Sequence, residues 1–174
     1  MFTFVSGGLR SGKSAYALRR ASELGPPPWL YVAAQVEGDD ELKTRLASHR
    51  RDHDTTWRLI EAPEKMIDAL EPQTLDGAGA VVIDRVTVWL SKRLGASDKS
   101  SDSDLLGEVQ ALADRLYRSK TPSVVVTTEI GLGFLPANVP DRRLINVAGQ
   151  ANQILAERAE SVVLMVSGVS LRLR

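Results

Sequence analysis

Gly7-Gly8-Leu9-Arg10-Ser11-Gly12-Lys13-Ser14 follows directly on the apolar run Phe2-Thr3-Phe4-Val5. Gly7, Gly12, Lys13 and Ser14 satisfy the pattern G-x-x-x-x-G-K-[ST], and Lys13 to Leu24 carries Tyr16, Leu18 and Ala21 at helical spacing. A strand that runs into a glycine loop and then into a helix is the context this pattern requires. Glycines let backbone N–H groups turn inward around phosphates, and the helix N-terminus adds partial positive charge. Lys13 is expected to reach the β- and γ-phosphates of a bound GTP or ATP, and Ser14 to ligate Mg²⁺. A plain glycine turn before a helix would need neither Lys13 nor Ser14.

Working outward, short apolar runs alternate with helical spacing. Gly25 and Pro26 to Pro28 end the first helix, and Trp29 to Ala34 reads as a second strand. Asp39 to His53 is a charged helix, Ala80 to Asp84 a strand, and Val86 to Leu94 an apolar helix. Gly95 to Asp104 is polar and turn-rich, which predicts an exposed loop. Leu105 to Ser119 reads as helix, Ser123 to Thr127 as a buried strand, and Asp141 to Ala159 as helix. Val162 to Val166 and Val169 to Arg174 flank Ser167-Gly168, the pattern of an antiparallel hairpin. The whole predicts an α/β chain with a mostly parallel sheet, helices on both faces and a C-terminal hairpin.

Length and composition narrow the function classes. A chain of 174 residues fits one domain, spanning 1–174. Lys plus Arg and Asp plus Glu both number 22, so a formal net charge of zero gives no support to a nucleic-acid or membrane-surface role. The absence of cysteine excludes disulfides, thiolate metal sites and cysteine nucleophiles. No apolar run approaches the ~18 residues of a membrane span. Phe2 to Val5 runs straight into the loop and resembles core more than a secretory leader, so a cytoplasmic location is the expectation.

Two acids and two histidines stand out beyond the loop. Asp84 ends Val81-Val82-Ile83, the position of a second Mg²⁺-side carboxylate, although an acid there could equally cap the next helix. Glu129 follows Val124 to Val126 at a strand end that belongs on the ligand side of a parallel sheet, or is a solvated loop acid. His49 and His53 share a helical face. As zinc ligands they lack a third partner, and a solvated charged helix is the plainer reading. Among Arg45, Arg50 and Arg51, however, a neutral imidazole could attack phosphorus and carry a nucleotidyl group. These readings stay open on residue types alone.

Together the residues resemble the bifunctional adenosylcobinamide kinase / adenosylcobinamide-phosphate guanylyltransferase family of cobalamin biosynthesis, nearly end to end. The G-G-x-R-S-G-K-S loop, Tyr31-Val32-Ala33, Asp39-Asp40-Glu41, Arg45 to Arg50 and Trp57 to Glu61 keep that family's spacing. So do Asp84 with Thr87 and Leu90, Glu129 with Gly131, Gly133 and Pro136, and Gly149 with Asn152-Gln153. Departures fall at Leu18, Ala34, His53, Thr128 and Asn146.

The resemblance implies a RecA-like P-loop nucleotide-binding domain, a homotrimer, and a corrinoid partner, adenosylcobinamide. It implies phosphorylation of that substrate, then transfer of GMP from GTP through a guanylyl-histidine that aligns with His49. Nucleotide contacts implied are Gly7, Gly8, Leu9, Arg10, Ser11, Gly12, Lys13, Ser14, Ala33, Ala34, Gln35, Arg50, Arg51, Asp52, His53, Glu61 and Asp84, with Lys13 catalytic beside His49. The alternatives are a P-loop kinase without a covalent histidine, or a nucleotide-binding module that is not an enzyme; neither would form a guanylyl-histidine.

Overall fold

Seven strands form one sheet in the order β3-β2-β4-β5-β1-β6-β7, all parallel except for the antiparallel pair at its end. The strands are β1 (Phe2–Gly7), β2 (Trp29–Ala33), β3 (Trp57–Glu61), β4 (Ala80–Asp84), β5 (Ser123–Val126), β6 (Ser161–Val166) and β7 (Val169–Arg172). The helices are α1 (Lys13–Leu24), the single turn α2 (Pro72–Leu75), α3 (Val86–Gly95), α4 (Asp102–Arg118) and α5 (Val139–Arg158), with a 3-10 turn at Met66–Leu70. This computed structural model describes residues 1–34, 57–61, 64–95, 101–133 and 136–174. The helix expected over 39–53 lies outside them.

Apolar residues on alternate strand positions divide the core between the two faces of the sheet. Val5, Tyr31, Val82, Val124 and Val126 pack beneath Ala17, Leu18 and Ala21 of α1. Phe2, Phe4, Val32, Ile83 and Val125 face the other way, onto Leu90, Leu112, Leu116, Val147 and Leu155 of α3, α4 and α5. The runs in β4 and β5 are continuous because both faces are covered, as expected for inner parallel strands. Each such Val or Leu contributes about 1.5–3 kcal/mol by leaving water. Leu18, where the resembled family carries an acid, is fully buried in the α1 layer.

The structure corrects part of the expected loop at 95–104. Gly95 closes α3, and Asp102 to Asp104 already form the first turn of α4. Of the polar residues read as loop, Ser101 to Asp104 are a helix start. The Ser101 hydroxyl accepts from the Asp104 N–H at 3.2 Å, and the Asp104 carboxylate accepts from the Ser101 N–H at 2.9 Å. This reciprocal box satisfies two of the donors every helix start leaves open. Helix α5 likewise begins at Val139, earlier than expected, because Asn138 caps it through the Asp141 N–H at 2.8 Å. Trp57 to Glu61, a spaced pair in the sequence, is an edge strand in register with β2. Among the described residues no helix is long and apolar enough to cross a membrane.

Candidate functional site

Parallel strands place all their carboxyl ends on one edge, and the chain from Gly7 to Ser14 wraps over that edge at β1. Gly7 has φ 155°, and a Cβ there would lie 2.4 Å from the Met165 carbonyl oxygen of β6, so only glycine lets the loop leave the sheet. Gly12 sits at φ 92° immediately before α1 and has no side chain to cap the helix. The first N–H groups of α1 therefore stay available to an anion. Gly8, Leu9 and Arg10 are exposed, whereas Ser11 and Lys13 are buried. From beyond β6, the N–H of Gly168 in the hairpin turn donates to the Ser11 carbonyl at 3.0 Å. The C-terminal turn thus braces the loop, a role no local pattern in the sequence announces.

Lys13 folds back over its own loop. Its ammonium donates to the Gly8 carbonyl, and to the Ser11 hydroxyl at 3.4 Å. Burial holds this ammonium below the ordinary lysine range; the charge of Asp84 raises it in part, and that of Arg85 lowers it further. A phosphate arriving here would meet a cation that water has largely left.

Asp84 ends β4 two strands away from β1, fully buried, and accepts a hydrogen bond from the equally buried Tyr31 hydroxyl of β2. Tyr31 in turn meets Trp57 edge-on, with ring centroids 6.0 Å apart. The helix after Asp84 starts one residue later than a cap by Asp84 would require. The Arg85 carbonyl accepts from the N–H groups of Val88 and Trp89, which puts Arg85 at the cap position. Arg85 has φ 69°, left-handed backbone that costs a side-chain-bearing residue about 1–2 kcal/mol.

Between the loop and Asp84 runs β5, and its continuation is tied to both. The Glu129 N–H donates to the Gly7 carbonyl at 2.9 Å. The Thr87 hydroxyl of α3 accepts from the Thr128 N–H at 2.9 Å and lies 3.2 Å from the Thr128 carbonyl as donor. The Glu129 carboxylate accepts from the Gly131 N–H at 3.1 Å and from the Asn152 amide of α5 at 3.2 Å. The Glu129 side chain is thus pinned to the helix layer opposite α1. Its held conformation, more than exposure, separates it from a solvated loop acid.

Of the expected nucleotide contacts, Gly7 to Ser14 and Asp84 come together on this edge. Ala33 pairs laterally with both Asp84 and Glu61, so all three end their strands at one level. Ala34 donates to the Asp84 carbonyl at 3.3 Å and accepts from the Lys92 ammonium at 3.0 Å. Glu61 stands exposed on the edge strand, four strand spacings from β1, or about 19 Å. It is therefore set apart from the loop. Gln35, His49, Arg50, Arg51, Asp52 and His53 lie outside the described residues. Tyr31 and Asn152 were legible only through family spacing, and the Gly168 turn only as a hairpin; the contacts by which they build the site join separate elements.

The donor set suits a hard cation. The hydroxyl of Ser14 at the start of α1 and the carboxylate of buried Asp84 are oxygen donors, few enough to leave Mg²⁺ its waters and substrate phosphates.

A glycine loop between strand and helix, an invading lysine and a strand-end acid on the carboxyl edge of a parallel sheet define a P-loop nucleotide-binding protein. Solved structures agree on the fold. A KaiC-like protein from Pyrococcus horikoshii superposes with TM-score 0.59 at 14% identity, over 94% of this chain and 69% of that one. An ATPase of a bacterial type III secretion system gives TM-score 0.56 at 11% identity, over 98% and 56%. The family is narrower. Residues 3–173 match the model described as cobinamide kinase / cobinamide phosphate guanyltransferase. The bifunctional adenosylcobalamin biosynthesis protein CobP of Pseudomonas aeruginosa is 34% identical over all of this chain and 98% of its own length. The corresponding protein CobU of Salmonella typhimurium is 30% identical, with both chains fully covered. This chain belongs to that family, whose members are transferases of cobalamin biosynthesis.

Proposed function

We propose that this chain phosphorylates adenosylcobinamide and transfers GMP from GTP to the resulting phosphate, with His49 carrying the guanylyl group between the two substrates. The observation that carries the reading is a buried Lys13 and a buried Asp84 on one carboxyl edge of the sheet, at the mouth of a loop that only glycine can form. Lys13 would lie against the β- and γ-phosphates, and the α1 N-terminus would hold the oxygens between them. Ser14 and Asp84 would hold Mg²⁺, which when bound neutralises charge on the phosphate oxygens. The Tyr31 hydroxyl donates to one Asp84 carboxylate oxygen, which would restrain that carboxylate for such a role. The reading also carries a homotrimeric assembly, by family resemblance, and the cytoplasmic location expected from the sequence.

In the guanylyl step the imidazole nitrogen of His49 forms a bond to the α-phosphorus, and the bond to the bridging oxygen breaks, its electron pair leaving with pyrophosphate. The corrinoid phosphate then displaces the imidazole. The protein should therefore take label from α-³²P GTP and not from γ-³²P GTP. The label should be acid-labile, alkali-stable and absent from His49→Ala. Label arriving only from the γ-phosphate, or persisting in His49→Ala, would remove the guanylyl-histidine step and leave a kinase or a nucleotide-binding module.

Asp84→Asn tests the metal side separately. It should raise the Mg²⁺ concentration needed for half-maximal GTP binding by about tenfold, the scale of one lost charge-assisted contact. A change in thermal stability alone would return Asp84 to a structural role.

A further inference from the structure

Glu129 is an acid held against the loop expected to take an anion. Its N–H donates to the carbonyl of Gly7, the first residue of that loop, at 2.9 Å. Two residues earlier the Thr127 N–H donates to the Val5 carbonyl of β1 at 2.9 Å, and the Val126 carbonyl accepts from the Arg85 N–H at 3.1 Å. The backbone that carries Glu129 is therefore fixed between the loop and the end of β4. The side chain is fixed as well. One carboxylate oxygen accepts from the Gly131 N–H at 3.1 Å and the other from the amide of buried Asn152 at 3.2 Å. These bonds occupy two of the roughly four acceptor positions of a carboxylate, and neither donor is charged. Glu129 is half-buried, and Gly131, Leu132 and Gly133 beyond it are exposed, so the pinned group borders solvent at the carboxyl edge. A carboxylate there works against binding a triphosphate, because like charges repel. It suits a partner that approaches the phosphates with a proton to give up.

We propose that Glu129 is the catalytic base of the phosphorylation, its carboxylate receiving the hydroxyl of the alcohol that takes the phosphoryl group. This rests on the kinase reading of the site and deepens it by naming a group for the second substrate, where Gly7 to Ser14 and Asp84 serve the nucleotide. The hydroxyl donates to a remaining acceptor position on the carboxylate. As its oxygen bonds to the γ-phosphorus, its proton passes to Glu129, and the bond from that phosphorus to the bridging oxygen breaks, the electron pair leaving with the nucleoside diphosphate. The Gly131 N–H and the Asn152 amide aim the carboxylate without neutralising it, so Asn152 is a positioning residue. The guanylyl step deprotonates no alcohol, since its nucleophiles are an imidazole and then a phosphate. Glu129 therefore serves one of the two reactions only.

The test measures three things in the full chain: phosphorylation of adenosylcobinamide, equilibrium binding of GTP with Mg²⁺, and labelling from α-³²P GTP. Glu129→Gln keeps the size of the side chain and an oxygen that accepts from one of its two donors, but takes no proton. It should lower kcat for phosphorylation by about 10²–10³-fold, within the usual contribution of a general base. GTP affinity should be unchanged or higher, because a negative charge has left, and labelling should proceed at the parental rate. Asn152→Ala releases the carboxylate without removing it, so phosphorylation should fall by about tenfold or less, the scale of one lost hydrogen bond, with labelling retained. Phosphorylation close to the parent's in Glu129→Gln would overturn the proposal. So would a loss of GTP affinity or of label as large as the loss of phosphorylation, the signature of a purely structural role. Failure of the underlying reading looks different: the parent itself would phosphorylate no alcohol, which would end that reading and the proposal with it.

Discussion

Strands β5 and β7 are the same length, four residues each, and sit in the same sheet, yet every residue of β5 is buried and every residue of β7 is exposed. Ser123 to Val126 lies between β4 and β1 with helices on both faces. Val169 to Arg172 is the outermost strand, with Val169 69% and Leu171 55% exposed. Both are apolar enough to be strands. The difference is in what each holds in place. β5 sets Thr128 and Glu129 between the phosphate loop and Asp84, whereas β7 contributes chiefly the turn before it, through the single bond from Gly168 to Ser11. Positional demand is concentrated at the inner strand ends and nearly absent one strand past β6. If that contrast is right, substitutions should lose their effect in the order that follows.

The largest effect is expected at Lys13. Lys13→Ala removes a cation aimed at the phosphates from a site shielded from water, so GTP turnover should fall by about 10²–10³-fold or more with the fold retained. Turnover close to the parent's in a folded variant would break the comparison at its functional end. Stability should move the other way. The folded protein holds the Lys13 ammonium against a burial cost, so its pKa lies below the unfolded value. The cost is present in full below the folded pKa and fades as pH rises from there toward the unfolded value. Ligand-free Lys13→Met should therefore match or exceed the parental Tm at neutral pH, with the gap narrowing in alkaline buffer. A gap that widened with pH would contradict the burial account.

Next comes Gly7→Ala. The new methyl would meet the Met165 carbonyl, a backbone atom that cannot swing aside, and the backbone there is one alanine avoids. A loss of about 2–3 kcal/mol in denaturant unfolding is expected, with nucleotide binding lost alongside. Gly8, by contrast, has nothing within 4 Å of where a Cβ would stand. Gly8→Ala should be well tolerated in stability, and the pair of measurements reads the steric claim directly.

These expectations also show how far the sequence carried. The loop was legible because its residues are contiguous, and β4 and β5 because unbroken apolar runs between turn residues have one comfortable place, an inner parallel strand. Asp84 was legible as an acid at such a strand's end. The capping box at Ser101 was hidden by its polarity, since Ser and Asp serve loops and helix starts equally. β3 escaped because Trp57 is its only buried residue and an edge strand needs little apolar pattern. The Tyr31–Asp84 bond joins residues on neighbouring strands, and the Glu129–Asn152 bond joins a strand end to a helix. Such contacts depend on strand order, which no spacing along the chain encodes.

The smallest effect is expected on β7, and it is where the comparison is easiest to break. Leu171 pairs across the hairpin with the half-buried Leu164, and its own side chain stands mostly in water. Leu171→Lys keeps strand hydrogen bonding, since those bonds come from the backbone, and trades little buried area. In dilute protein the change in unfolding free energy should stay within about 0.5 kcal/mol, the range of exposed substitutions away from special contacts. GTP affinity should be unaltered, because the bond from Gly168 to Ser11 involves no side chain of β7. An edge strand with exposed Val169 and Leu171, followed by exposed Leu173, is also a template for a second chain. Copies that associate through it would make the parental Tm rise with protein concentration and the Leu171→Lys Tm independent of it. A loss of several kcal/mol in dilute Leu171→Lys would mean that the strand's face matters to the isolated fold, and the contrast with β5 would then be one of degree.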